Sequence, residues 1–330
     1  MNLADRIRGG LLGLLVGDAL GVPYEFHPAH GIPPREEIDF VPPPGFDRAH
    51  RGVPPGTWSD DGAQALVLLE SLLRVGRLDL DDVGRGLVRW ADEGWYAVDR
   101  HVFDIGVQTS HAVAALRAGV PAALAGPSDV HANGNGSLMR VLPLALWHLG
   151  SDAELVADAF AQSAVTHGHV RSQVCGALYC LFARRLLLGM PPAAAWSAAW
   201  AAFEQGHREG TPEHAELTSV VFPVGAAYEV RGGGYVVESI RAAVALVTAG
   251  GPGPVDFARV VTGAIALGDD TDTTACIAGG LAGIVVGEGG IPRRWLDALR
   301  GRELVEPLLD QLVARRVVPA CGTVGDTRGT

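Results

Sequence analysis

Apolar residues recur at helical spacing in one stretch of this chain after another, and a convincing half-buried alternation of the strand type is absent. Examples run over residues 63–73, 155–164, 174–188, 240–247, 255–267 and 295–312. These stretches are rich in Ala and Leu, the strongest helix formers. Pro307 interrupts the last of them, which predicts a kink or a split at that residue. The best strand candidate is Val220-Val221-Phe222, and Pro223 ends it. No fixed-period repeat is visible, which argues against a solenoid. The expectation is an all-α fold: one compact helical domain over residues 1–318, followed by a flexible tail at 319–330.

Composition narrows the function. A chain of 330 residues that is 48% apolar can bury a large core and is not a disordered polymer. Its 37 acidic residues exceed the 26 basic ones by 11, so polyanions are repelled and nucleic acid is disfavoured except as a modified acceptor. Every basic residue is Arg, which excludes a Schiff-base lysine, a P-loop lysine and a lysine general base. Four cysteines show no CxxC spacing; Cys175 and Cys180 fall in an apolar helical stretch and read as small buried thiols. The first residues lack a signal-peptide layout, and the apolar run 11–22 is too short to span a bilayer and contains Asp18. The expected setting is the cytoplasm, without a membrane anchor and as a monomer.

One segment stands apart. Residues 26–57 are dense in Pro and Gly, including Pro33-Pro34, Pro42-Pro43-Pro44 and Pro54-Pro55. Long connections without regular structure are uncommon in compact domains and often serve as lids or binding loops. The segment is expected to form the rim of a cleft and to carry Glu25 in and out of it, against the alternative of a surface loop.

Two acidic blocks precede helical runs: Ser59-Asp60-Asp61 and Asp269-Asp270-Thr271-Asp272-Thr273-Thr274. Taken singly, either reads as a helix cap, since Ser, Thr and Asp accept from free amide groups at a helix start. Six consecutive oxygen-bearing side chains exceed what a cap requires. Residues two apart do not share a helix face, so Asp270 and Asp272 converge only in a loop or a first turn. Packed carboxylates must take up protons or cations. An all-oxygen set suits a hard ion such as Mg²⁺ or Mn²⁺, and two ions become plausible where both blocks meet.

The run Gly268-Asp269-Asp270-Thr271-Asp272-Thr273-Thr274-Ala275-Cys276 strongly resembles the C-terminal metal motif of the ADP-ribosylglycohydrolase family. Further landmarks of that family follow in order. They are Gly9-Gly10-Leu11-Leu12-Gly13 with Gly17-Asp18-Ala19-Leu20-Gly21 and Glu25, Gly56-Thr57-Trp58-Ser59-Asp60-Asp61, and Asp104-Ile105-Gly106. Gly134-Asn135-Gly136-Ser137-Leu138-Met139-Arg140, Thr166-His167, Gly233-Gly234-Tyr235 and Ile291-Pro292-Arg293-Arg294-Trp295 complete the series. The likeness spans about residues 6–300.

The resemblance implies an all-α fold with a dinuclear metal cleft and a hydrolase that frees ADP-ribose from an acceptor. By position it implies Ser59, Asp60, Asp61, Asp270, Asp272 and Thr273 as ligands of two divalent cations, with Ser59 where the family usually has Thr. It implies Asp104 and Glu25 as the catalytic acids. Gly134, Asn135, Gly136, Ser137 and Met139 would hold the diphosphate side of ADP-ribose, with His167, Gly234 and Tyr235 completing the pocket. Asp18 reads as structural, bonded to backbone donors. The substrate expected is an ADP-ribosylated protein, arginine-linked as first choice, or a small ADP-ribose conjugate. Two other readings stay open: a two-metal phosphoesterase and a non-catalytic ADP-ribose binder.

Overall fold

A computed structural model describes residues 1–225, 227–249 and 254–317; the expected tail lies outside them. Its α-helices are α1 (Leu3–Gly21), α2 (Asp60–Val75), α3 (Leu80–Glu93), α4 (Val107–Arg117) and α5 (Gly136–Met139). There follow α6 (Leu142–Trp147), α7 (Asp152–Ala164), α8 (Val170–Leu187), α9 (Pro192–Gly206) and α10 (Pro212–Glu216). The chain closes with α11 (Val236–Thr248), α12 (Phe257–Ile265), α13 (Thr271–Val286), α14 (Arg293–Ala298) and α15 (Arg302–Val317). Among the described residues no strand forms. Two isolated bridges occur among them, Pro28 with Gly268 and Gly134 with Tyr235. Buried apolar side chains from Ile7 to Leu312 make one continuous cluster.

The centre of the molecule is the antiparallel pair α1 and α13. Both are buried on every side along most of their length, so neither shows an amphipathic stripe. Four glycines of α1, each one turn further on, face α13. A Cβ at Gly17 would lie 2.1 Å from the carbonyl oxygen of Ala275, and one at Gly21 would lie 2.3 Å from the Cα of Asp272. No side chain can yield at either place, because the obstacle is backbone. The absence of Cβ atoms lets the two helix backbones touch, and this fixes where the second acidic block begins.

Asp18 acts as a strut from α1 to α2. Fully buried, it accepts the backbone N–H of Ser59 at 2.9 Å and of Gly62 at 2.8 Å, satisfying two amides of the α2 start. Its structural reading from sequence agrees with this geometry.

Two local expectations differ from the structure. α15 runs through Pro307, while the break between α14 and α15 falls at Leu299–Gly301, where Gly301 takes a left-handed φ of 73°. Pro307, the sixth residue of α15, forfeits the intrahelical bond to the Glu303 carbonyl without ending the helix. Val220–Phe222 is no strand: Leu217–Val221 forms a π-helical turn, closed by the Phe222 N–H donating to the Leu217 carbonyl at 2.8 Å. The guanidinium of Arg241 donates to the carbonyls of Val220 and Val221.

Candidate active site

The first turns of α2 and α13 meet in the interior. Ser59 caps α2, its hydroxyl accepting from the Asp61 N–H at 3.3 Å. Asp270 stands at the N-cap of α13, with Asp272 and Thr273 in the first turn, which brings residues two apart together. The Thr273 hydroxyl donates to Asp61 Oδ1 at 3.2 Å, so the two blocks are in direct contact. Glu25, Asp270 and Asp272 bring one carboxylate oxygen each within 4.8 Å of one another. Asp60 accepts from Gln64 Nε2 at 2.7 Å, and Asp270 from Asn135 Nδ2 at 2.7 Å.

Burial first, then mutual repulsion, pushes the Asp60, Asp61 and Asp272 carboxyls well above the usual range. Burial also raises Asp270, against hydrogen bonds from Asn135 and Thr273. Two oxygens in this cluster, Asp61 Oδ2 and Asp272 Oδ2, are buried without a partner among the described residues. Orphaned buried acceptors are rare because each forfeits its hydration. Bare carboxylate oxygens amid further acids form the donor set of a hard divalent cation, and the residues fit one.

Above this floor opens a cleft of about 460 Å³. Asp60, Asp270 and Thr273 reach it from below; Glu25 and Asp104 line one part, and Gly134, Asn135, Gly136, Met139, His167, Gly234 and Tyr235 the rest. Ser59, Asp61 and Asp272 lie under the floor. The loops of Gly134 and Tyr235 are stitched by paired backbone bonds, Asn135 N–H to the Gly234 carbonyl at 3.1 Å and Val236 N–H to the Asn133 carbonyl at 3.0 Å. Tyr235 is half-buried, with the Arg171 guanidinium 5.9 Å from its ring centre. His167 is buried and neutral, pushed down to about 3 by burial and then by Arg140. Its Nδ1 bonds the Thr166 hydroxyl at 2.8 Å, and a Cβ on Gly136 would strike its ring at 2.8 Å.

In the loop Gly134–Met139, expected to hold the diphosphate, two of the amides are already engaged. The Gly134 N–H donates to Gln108 Oε1 at 3.1 Å and the Asn135 N–H to Gly234, so neither amide is free for phosphate. Asn135 turns its side chain to Asp270 and Ser239. Ser137 lies behind the wall, its hydroxyl accepting from Ser163 at 2.9 Å. α5 has only four residues, and Arg140 beyond it is buried against Gln64 and Gln162.

Residues not anticipated from sequence also line the cleft: Gln108 and Thr109 at the start of α4, His131 and Asn133. Gln108 and Thr109 follow Asp104-Ile105-Gly106 after Val107, a local signal that extending the motif by one turn would have used. His50 had none. It comes from the Pro-rich segment, and its Nε2 lies 2.6 Å from Glu25 Oε2.

Four non-glycine residues hold left-handed backbone near this end: Phe26 (φ 66°), His50 (φ 48°), Asp104 (φ 61°) and Asp269 (φ 57°). Such strain concentrates at functional sites. The Phe26 N–H donates to the Asp269 carbonyl at 2.8 Å, and the Asp269 N–H to the His27 carbonyl at 2.7 Å. Glu25 is thus clamped beside the second acidic block by backbone and by His50. Ile38, Phe40 and Val53 of the same segment are buried. This anchoring opposes the expected carriage of Glu25 in and out. Burial and the neighbouring Asp104, Asp270, Asp60 and Asp18 push the Glu25 carboxyl up to about 10, while burial and Asp270 raise Asp104 to about 6.

The sequence matches the ADP-ribosylglycohydrolase family over residues 1–320. It is 29% identical over 310 residues to an ADP-ribosylarginine hydrolase, Tri1, of Serratia proteamaculans (strain 568), covering 93% of this chain and 79% of the relative. Against an ADP-ribosyl-[dinitrogen reductase] glycohydrolase of Rhodospirillum rubrum it is 28% identical over 306 residues, covering 90% and 91%. A solved structure described as an ADP-ribosylglycohydrolase-related protein complex superposes with a TM-score of 0.75 at 31% identity, covering 95% of this chain and 99% of that one.

Proposed function

Because this chain belongs to the ADP-ribosylglycohydrolase family, we propose that it hydrolyses the glycosidic bond between ADP-ribose and a protein side chain, with arginine the acceptor. One juxtaposition carries the reading. The Thr273–Asp61 contact joins both acidic blocks beneath a cleft that also holds Asp104 and Glu25. The domain doing this work is residues 1–318, acting as a monomer in the cytoplasm; the free buried thiols Cys175, Cys180 and Cys276 suit a reducing compartment.

Ser59, Asp60, Asp61, Asp270, Asp272 and Thr273 would hold two divalent cations, Mg²⁺ or Mn²⁺. When bound, these supply positive charge that neutralises the carboxylates and fixes the hydroxyls of the ribose to be cleaved. Asn135 orients Asp270 for that task. Tyr235, Met139 and His167 wall the part of the cleft where the nucleotide would lie. Asp104, raised only to about 6, is ionised at neutral pH and suited to take a proton from water. As the bond from C1″ to the guanidine nitrogen breaks, positive charge develops on the sugar, and the Asp104 and Glu25 carboxyls stand beside it. The hydroxyl of water joins C1″ and a proton leaves with the acceptor.

The test is a panel of defined linkages, arginine and serine among them, with Mg²⁺, Mn²⁺ or chelator, scored for released ADP-ribose. Metal-dependent release of ADP-ribose with intact acceptor is expected. Asp104→Asn should still bind ADP-ribose but turn over at least about 100-fold more slowly. AMP or phosphate as product would point to a phosphoesterase, and binding without turnover to an ADP-ribose reader; either sinks the reading.

A further inference from the structure

Phe26 has no packing reason to be where it is. Its side chain is 68% exposed, yet its backbone holds a left-handed φ of 66° that a bulky residue resists, locked by the bond to Asp269. Phe26 starts a row of rings from three separate places in the sequence. Its ring centre lies 5.5 Å from His50, His50 lies 5.0 Å from Phe103, and Phe103 lies 5.7 Å from His101. His50 bonds Glu25, and Phe103 directly precedes Asp104. The row therefore passes beside both carboxyls.

We propose that Phe26, His50, Phe103 and His101 form an acceptor subsite that stacks a planar cation, the guanidinium of the modified arginine, beside Glu25 and Asp104. The inference rests on the glycohydrolase reading above and deepens it. Ring faces carry partial negative charge, and a guanidinium offers both a plane and a positive charge to lay on them. The Asp104 carboxylate, next to Phe103 in the chain, adds complementary charge. A serine-linked acceptor has neither plane nor charge, so the row gives it nothing. Strained backbone at Phe26 is then what holds its ring out of the core.

The experiment compares the parent with Phe26→Asn and Phe103→Leu on arginine-linked and serine-linked peptides, together with titration of free ADP-ribose. Asn tolerates left-handed backbone, so the first variant removes the ring without disturbing the fold. The proposal expects KM for the arginine-linked peptide to rise about tenfold in each variant, the effect of a partly desolvated cation–ring contact. It expects affinity for free ADP-ribose and KM for the serine-linked peptide to stay within about twofold. An unchanged KM on the arginine linkage, or an equal rise on both linkages, overturns the subsite while leaving the hydrolase reading intact. A parent inactive on the arginine linkage overturns both.

Discussion

The side-chain amide of Asn135 donates to Asp270 Oδ2 at 2.7 Å and simultaneously to the Ser239 hydroxyl at 3.0 Å. One residue of the cleft wall thereby holds a carboxylate of the floor in place, and α11 holds that residue in turn. Asn135→Ala should lower affinity for Mn²⁺ and turnover by about 10–100-fold, as loss of a ligand's supporting hydrogen bond does elsewhere. Calorimetric metal titration beside initial rates checks it; unchanged metal affinity would make Asn135 a wall residue only.

Asp18 presents one carboxylate oxygen to each of two buried amides. Asn at this place has a single acceptor, so one N–H at the α2 start loses its partner. Asp18→Asn should cost about 1–3 kcal/mol in a urea melt. Because α2 carries Asp60 and Asp61 in its first turn, metal affinity should fall with it.

A Cβ at residue 17 has no room. Gly17→Ala must push α1 off the Ala275 carbonyl, and the loss of stability should exceed about 3 kcal/mol, the upper end of ordinary overpacking. Gly206→Ala, where nothing lies within 4 Å of the added carbon, is the control and should melt at or slightly above the parent. Thermal melts of the two decide whether backbone contact, rather than any Gly→Ala change, is responsible.

Removing divalent ions should expose the charge of the acid cluster. Folded-state pKa values of Asp104 (about 6), Asp18 (about 7) and Glu25 (about 10) lie above those of free carboxyls, so the folded chain binds more protons than the unfolded one. Stability of the chelated protein must then fall as pH rises from about 5 to 8, by about 1.4 kcal/mol per pH unit for each carboxyl titrating differently in the two states. With Mn²⁺ present the slope should flatten or reverse, since ligands bind cations only when deprotonated. Parallel Tm curves with and without chelator would refute a cation at this cluster.

Much of the molecule was legible from residue patterns. Helical periodicity gave the all-α class, and the density of oxygen donors at 269–274 marked the floor of the site. α1 escaped because periodicity detects a boundary between inside and outside, and α1 has none: it is buried all round. Ser137, Gly134 and Asn135 show a different limit. Sequence places a residue near a cleft, but which way its donors point depends on partners far along the chain, here Gln108, Ser163 and Gly234. His50 depends on the same kind of information, since only folding of the Pro-rich segment brings it to Glu25.

The close pairing of α1 with α13 also sets the order in which this protein can be made. The Thr271 hydroxyl bonds the Gly21 carbonyl across 250 residues of intervening chain. During synthesis α1 precedes α13, the helix whose backbone it touches, by about 250 residues. Until then its glycine face has nothing to close against, and Asp60 and Asp61 lack the second half of their cluster. The cluster therefore needs that long loop closed: a chain halted before residue 271 carries only the Asp60–Asp61 half of it.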